Sequence, residues 1–146
     1  MPQTTPEITV ETNRPKSNFI LIGEDDLDDQ EFLKEAFLSV DQSFILKFLN
    51  TGKELIDYMN GLPDIHLPCL VVMDYNMPEL NGAEILRELK KTRRFSPIPK
   101  IIWSTSNSEM YRNICLDLGA NDYVIKPSNV KEMEAVVKYM LSLCAL

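Results

Sequence analysis

Short apolar runs alternate along this chain with stretches whose apolar residues fall at helical spacing. Phe19-Ile20-Leu21-Ile22-Gly23 is β-branched and reads as a buried strand. Phe32, Leu33, Ala36, Phe37 and Val40 follow at helix spacing, with Asp28 and Asp29 suited to the helix start. Phe44 to Leu49 reads as a second strand, and Leu55, Ile56, Met59 and Leu62 mark a short second helix. Cys69-Leu70-Val71-Val72-Met73 is apolar on both faces, as a central parallel strand must be, and it ends at Asp74. Asn81-Gly82 opens a third helix carrying Ile85, Leu86 and Leu89. Ile98 to Trp103 is a fourth strand, Ser108 to Leu118 a fourth helix that stops before Gly119, and Tyr123-Val124-Ile125 a fifth strand. Ser128 caps a last helix with Met133, Val136, Val137, Met140, Leu141 and Cys144 on one stripe. Strands and helices in strict alternation predict an α/β fold: a doubly wound five-stranded parallel sheet with helices on both faces.

Composition narrows the class. The chain of 146 residues is the size of one domain with one buried core. Residues 1–17 are polar and proline-bearing and read as a flexible tail, which leaves 18–146 as the domain. No apolar run approaches the roughly 20 residues that span a bilayer, and no apolar signal segment opens the chain. The expectation is a cytoplasmic protein with no membrane partner. A net charge of -7 gives no long-range pull toward nucleic acid. Arg87, Lys90, Lys91, Arg93 and Arg94 form a basic run that reads as a solvated helix end, where cations favour the helix dipole. Cys69, Cys115 and Cys144 are far apart in sequence and odd in number, no CxxC occurs, and His66 is the single histidine. That argues against a disulfide framework or a zinc site and for reduced, buried thiols.

In open α/β sheets, function gathers outside the carboxyl ends of the strands. Glu24, Asp25 and Asp26 follow the first strand, Asp74 ends the third, Ser104 and Thr105 follow the fourth, and Lys126-Pro127 follows the fifth. Carboxylates converging from two strands repel one another, and a hard cation resolves the conflict. Mg²⁺, or the similar Mn²⁺, prefers such oxygen ligands. Lys126 adds a compact positive charge and Ser104 a hydroxyl donor. Metal, ammonium and hydroxyl together suit the three oxygens of a phosphoryl group, with Asp74 as its nucleophilic acceptor.

On these residues the chain resembles the response-regulator receiver family, the group typified by the chemotaxis response regulator. The resemblance covers about Asn18 to Cys144. Four motifs carry it in order: Ile22-Gly23-Glu24-Asp25-Asp26, Met73-Asp74-Tyr75-Asn76-Met77-Pro78 with Asn81-Gly82, Trp103-Ser104-Thr105, and Gly119-Ala120-Asn121-Asp122-Tyr123-Val124-Ile125-Lys126-Pro127. It implies the flavodoxin-like strand order 2-1-3-4-5. It also implies Asp74 as phospho-acceptor, with Asp25, Asp74 and the Asn76 backbone carbonyl as metal ligands and Glu24 acting through water. Ser104 would hydrogen-bond the phosphoryl group and Lys126 would pair with it. Tyr123 would be the aromatic switch that moves inward as Ser104 moves toward the phosphate. Lys126-Pro127 is commonly a cis peptide in this family. Gly23 stands where the family has a branched apolar residue, which is expected to loosen the end of the first strand. Ser104 replaces the commoner threonine, and Trp103 is a large residue that reads as core packing beside the site.

Thr105-Ser106-Asn107 and Arg93-Arg94-Phe95-Ser96-Pro97-Ile98-Pro99 are similar to small single-domain receivers that partner phytochrome-type or hybrid histidine kinases. The partner would be a histidine kinase or a histidine phosphotransfer protein, and the output a protein contact, a phosphorelay step or a change of oligomer. Tyr139, Leu143 and Leu146 form a second apolar stripe on the last helix, expected to meet a partner or a second copy in a homodimer. A flavin carrier would share the fold, but acids stand where its phosphate-cradling loop would be. Thr51-Gly52-Lys53 lacks the earlier glycine of a P-loop, so nucleotide hydrolysis is not expected. A degenerate receiver is disfavoured by the intact set Asp25, Asp74, Ser104 and Lys126. The reading is a signalling protein, not an enzyme.

Overall fold

A computed structural model describes residues 17–144. Strands β1 (Phe19–Gly23), β2 (Ile45–Leu49), β3 (Leu70–Asp74), β4 (Lys100–Ser104) and β5 (Asp122–Ile125) alternate with five helices. These are α1 (Leu27–Val40), α2 (Gly52–Gly61), α3 (Gly82–Lys90), α4 (Glu109–Asp117) and α5 (Val130–Cys144). Of the expected N-terminal tail only Ser17 is among the described residues, and Leu146 also lies outside them.

All strand pairs are parallel, in the order β2-β1-β3-β4-β5, the expected 2-1-3-4-5 sheet. The side-chain period of two divides the core. Ile20, Ile22, Leu70, Val72, Ile101 and Trp103 face α1 and α5, where they meet Leu33, Phe37, Met133 and Val137. Leu21, Val71, Met73 and Ile102 face the other way, onto Leu55 and Met59 of α2, Leu86 of α3 and Cys115 of α4. With both faces covered, every residue of β3 and β4 is buried, Lys100 included. Edge strand β2 is only partly covered, and Ile45 is exposed.

Two helix caps differ from the sequence expectation. The cap of α1 is Asp26, whose side chain accepts from Asp29 N–H at 2.9 Å; Asp28 and Asp29 already lie in the first turn. Asn129, not Ser128, receives the Glu132 N–H at 2.8 Å at the start of α5. In both cases the cap is the residue three before the N–H that needs an acceptor. Gly119 does stop α4, at φ 104° just beyond the C-cap Leu118.

Gly23 does not loosen β1. A Cβ there would lie 2.9 Å from Leu55 Cδ1 and 3.1 Å from Met77 Cε, so neighbouring side chains fill the space. The basic run is also more than a solvated helix end. Arg94 donates to the carbonyls of Leu62 at 2.6 Å and of Met59 and Asn60 at 3.2 Å, and pairs with Asp64 at 3.0 Å. A guanidinium fork thus satisfies the orphan carbonyls at the end of α2. Lys100 is buried at the start of β4, where Nζ donates to Phe95 O and Ile98 O at 2.7 Å each; burial pushes its pKa down to about 8.

Candidate functional site

The carboxyl ends of β1, β3, β4 and β5 meet at one rim because the sheet is parallel throughout. Register sets the positions: Gly23 pairs with Met73, Asp74 with Trp103, and Ser104 with Ile125. Glu24 and Asp25 therefore leave β1 beside Asp74, and Lys126 leaves β5 beside them. Asp25, Asp29, Asp74, Thr105 and Lys126 line a cleft of 690 Å³ open to solvent. A second cleft of 730 Å³, lined by Phe19, Ile45, Tyr58 and Ile65 among others, opens beside β2 and has no acidic lining residue.

Asp74 is 6% exposed. Its Oδ1 accepts the Asn76 N–H at 3.0 Å and its Oδ2 accepts Lys126 Nζ at 2.9 Å. The loop after β3 is held close by Gly82, whose N–H donates to Tyr75 O at 2.7 Å. A Cβ on Gly82 would stand 3.0 Å from Tyr75 Cα and 2.9 Å from Ile102 Cδ1, so that approach requires glycine.

Lys126 is the hub. Its side chain is 8% exposed, and Nζ lies 2.7 Å from Asp29 Oδ2, 2.8 Å from Glu24 Oε1 and 2.9 Å from Asp74 Oδ2. It also sits 4.7 Å from the centre of the Trp103 ring, within cation–π range. Burial alone would lower its pKa, but hydrogen bonds to Asp29 and Asp74 and the close Glu24 carboxylate outweigh that and hold it above the usual lysine value. Glu24 is fully buried, and its Oε2 accepts the Asp26 N–H at 3.0 Å. Its Oε1 makes no well-directed hydrogen bond, so the close approach of Lys126 there is a Coulombic contact. Burial, reinforced by the Asp74 charge, pushes the Glu24 pKa up to about 7 even against Lys126.

One ammonium thus serves three carboxylates, and Asp25, exposed, has no ion pair among the described residues. Oxygen atoms of Glu24, Asp25 and Asp74 lie within 4.8 Å of one another. Excess acid, close spacing and a buried carboxyl with a raised pKa fit a hard divalent cation.

Ser104 is buried, and its Oγ accepts the Ser106 N–H at 3.0 Å; the neighbouring Thr105, not Ser104, lines the cleft. Tyr123 is buried too, with its hydroxyl donating to Ser106 O at 2.9 Å. Ser106 therefore links the expected switch pair. Trp103 is buried, as core packing requires, and its Nε1–H has no partner among the described residues. No peptide bond among the described residues is cis, so Lys126-Pro127 is trans, the form an X–Pro bond prefers by about 0.5–1 kcal/mol. Asp29 was not expected in the site. The acid at the third position past an Asp cap is the one signal that places it there, on the first turn of α1 facing β5.

The family model of the response regulator receiver domain matches residues 20–138. The chain belongs to this family. Receiver domains are signalling components of two-component systems, so the class of function is phosphorelay signalling. Among relatives, the transcriptional regulatory protein BaeR of Escherichia coli O6:H1 is 29% identical over 142 residues, covering 97% of this chain and 50% of BaeR. The receiver thus spans half the length of that relative. The phosphorylated cyanobacterial phytochrome response regulator RcpA superposes with a TM-score of 0.77 at 25% identity, covering 86% of this chain and 95% of RcpA. The Mn²⁺-bound response regulator Rcp1 superposes with a TM-score of 0.74 at 26% identity, covering 88% of this chain and 93% of Rcp1. No described helix of the receiver is long and apolar enough to cross a membrane.

Proposed function

We propose that this receiver accepts a phosphoryl group on Asp74 from a histidine kinase or a histidine phosphotransfer protein, in a Mg²⁺-dependent or Mn²⁺-dependent step. The observation that carries the reading is the buried Asp74 carboxylate held between Lys126 Nζ and the Asn76 N–H at the floor of an acidic cleft. Asp25, Asp74 and the Asn76 carbonyl would hold the metal, with Glu24 acting through water. When bound, the cation neutralises charge on the phosphoryl oxygens. An Asp74 oxygen forms the new bond to phosphorus, and the phosphorus–nitrogen bond of the donor phosphohistidine breaks with its electron pair leaving on the imidazole. Asn76 N–H and Lys126 orient the carboxylate before transfer.

Transfer redistributes charge around Lys126. Its ammonium is now shared by Glu24, Asp29 and Asp74, and a phosphoryl group on Asp74 draws it from the other two. Ser104 rotating toward that group gives up the Ser106 N–H, and Ser106 O is the acceptor of the Tyr123 hydroxyl. The switch thus runs through one backbone residue.

Trp103 makes the pocket observable, since it is the only tryptophan and Lys126 lies over its ring. Mg²⁺ is expected to change its fluorescence saturably, and beryllofluoride, a phosphoryl mimic, to add a second saturable change only when Mg²⁺ is present. Asp74→Asn should lose the beryllofluoride response. Silence toward both ligands would point to a receiver that signals without phosphorylation.

The output surface is proposed on the α5 side, and the sensor is proposed to be of phytochrome or hybrid kinase type, in a cytoplasmic setting without nucleic-acid or membrane contact. Similarity to RcpA over nearly all of that chain supports the sensor class. The net charge of -7 argues against a nucleic-acid target. Tyr139 is partly exposed, with its hydroxyl donating to Asp122 at 2.8 Å, and Leu143 is half-buried against the core. With Leu146 these residues would contact a partner or a second copy. Tyr139→Ser with Leu143→Ser is expected to lower the sedimentation coefficient of any dimer or to weaken kinase-dependent signalling. Leaving both unchanged would remove the surface from the account.

A further inference from the structure

Cys69 and Cys144 are 75 residues apart in sequence, yet their sulfur atoms lie 2.6 Å apart. All three cysteines are free thiols, but of the expected buried set only Cys115 is buried. Cys69 immediately precedes β3, and its N–H donates to Phe19 O at 2.9 Å. Cys144 is the last residue of α5. Both are unbonded thiols, half-buried, at the margin of the apolar cluster that α1 and α5 form with the sheet. Cys115 differs: it is fully buried in the opposite cluster, where burial pushes its thiol up to about 11.

We propose that Cys69 and Cys144 are a thiol modification site that closes to an intramolecular disulfide in exchange with a small-molecule disulfide of the glutathione type. The bond would tie the end of α5 to the start of β3. The Cys69 thiol lies against the Cys144 sulfur, and that contact holds the Cys69 pKa below and the Cys144 pKa above the usual thiol value. The Cys69 thiolate attacks one sulfur of glutathione disulfide and expels one glutathione thiolate, giving a mixed disulfide. Cys144 then loses its proton and attacks the Cys69 sulfur, which expels the second glutathione. Two protein thiols are oxidised and one glutathione disulfide is reduced to two glutathiones, so electrons and protons balance. Burial leaves Cys115 outside the exchange.

The site is remote from the acidic cleft, since Cys69 and Asp74 flank opposite ends of the all-buried β3. The inference therefore stands independently of the phosphoryl reading. A cross-link closing a chain segment this long constrains the unfolded state strongly.

The test uses the full chain, reduced, freed of reductant and incubated with glutathione disulfide. Remaining thiols are then alkylated, and intact mass and non-reducing peptide maps are recorded. The expected result is a monomer lighter by two hydrogens, a linked Cys69–Cys144 peptide, and alkylation at Cys115 alone after unfolding. Its thermal midpoint should rise by about 5 °C or more over the reduced form. Cys144→Ser should stop at a persistent glutathione adduct on Cys69 and show no such rise. Wild type that keeps three alkylatable thiols, accumulates only mixed disulfides, or links cysteines between chains overturns the proposal. The wild-type map decides this even where the variant does not fold.

Discussion

Lys126→Met is expected to lower stability by about 3–5 kcal/mol at pH 7, because it removes the shared cation from two buried carboxyls and one half-buried one. At this chain length that is a fall of roughly 10–20 °C in the thermal midpoint. The methionine keeps an apolar stem of similar length without the charge, so the loss reports on charge. The deficit should depend on pH, with a sign fixed by Glu24. Its folded pKa, about 7, lies above the ordinary glutamate value of 4.5. The folded state therefore holds more protons between those values, and the contribution of Glu24 to stability is fully present below about 4.5 and lost as pH rises through about 7. Without Lys126 the folded pKa rises further, so the variant should be worst near neutrality and approach wild type in acid. Mg²⁺ should narrow the gap at pH 7. A deficit independent of pH and of Mg²⁺ would mean that Lys126 acts through its stem alone.

Asp25→Asn should weaken Mg²⁺ binding by at least about 10-fold, since it removes one unit of charge at ligand distance from a divalent ion. Stability without metal should stay the same or rise slightly. Asp25 is exposed and pairs with no cation among the described residues, while its charge adds to the repulsion around Glu24 and Asp74. Calorimetric Mg²⁺ titration together with thermal unfolding in a chelator checks both halves. Unchanged affinity would place the ion away from Asp25; a large loss of metal-free stability would make Asp25 a structural residue.

The parts of this molecule that are local in sequence were legible from it. β3 is buried on both faces, and the unbroken apolar run Cys69–Met73 announces it. The Asn81-Gly82 helix start was readable because a capping box with Glu84 is a four-residue device. Strand-end residues were readable as a site because parallel topology gathers strand ends at one rim. The parts that were missed are contacts across the fold. Nothing near Arg94 in sequence indicates that it caps the carbonyls of α2 more than 30 residues earlier. Asp29 read as a helix-start residue, although its side chain completes the Lys126 hub 97 residues away. The approach of Cys69 to Cys144 depends on where α5 ends against β3, which no local pattern encodes. Gly23 misled for the same reason: the side chains that fill its space belong to α2 and to the loop after β3.

The most direct measurement is the intact mass of wild type and of Asp74→Asn after incubation with acetyl phosphate, with Mg²⁺ and with chelator. One added phosphoryl group is expected on wild type with Mg²⁺, none with chelator, and none on Asp74→Asn under either condition. A phosphoryl group retained by Asp74→Asn, or acquired equally well by wild type without metal, would contradict metal-dependent phosphorylation of Asp74.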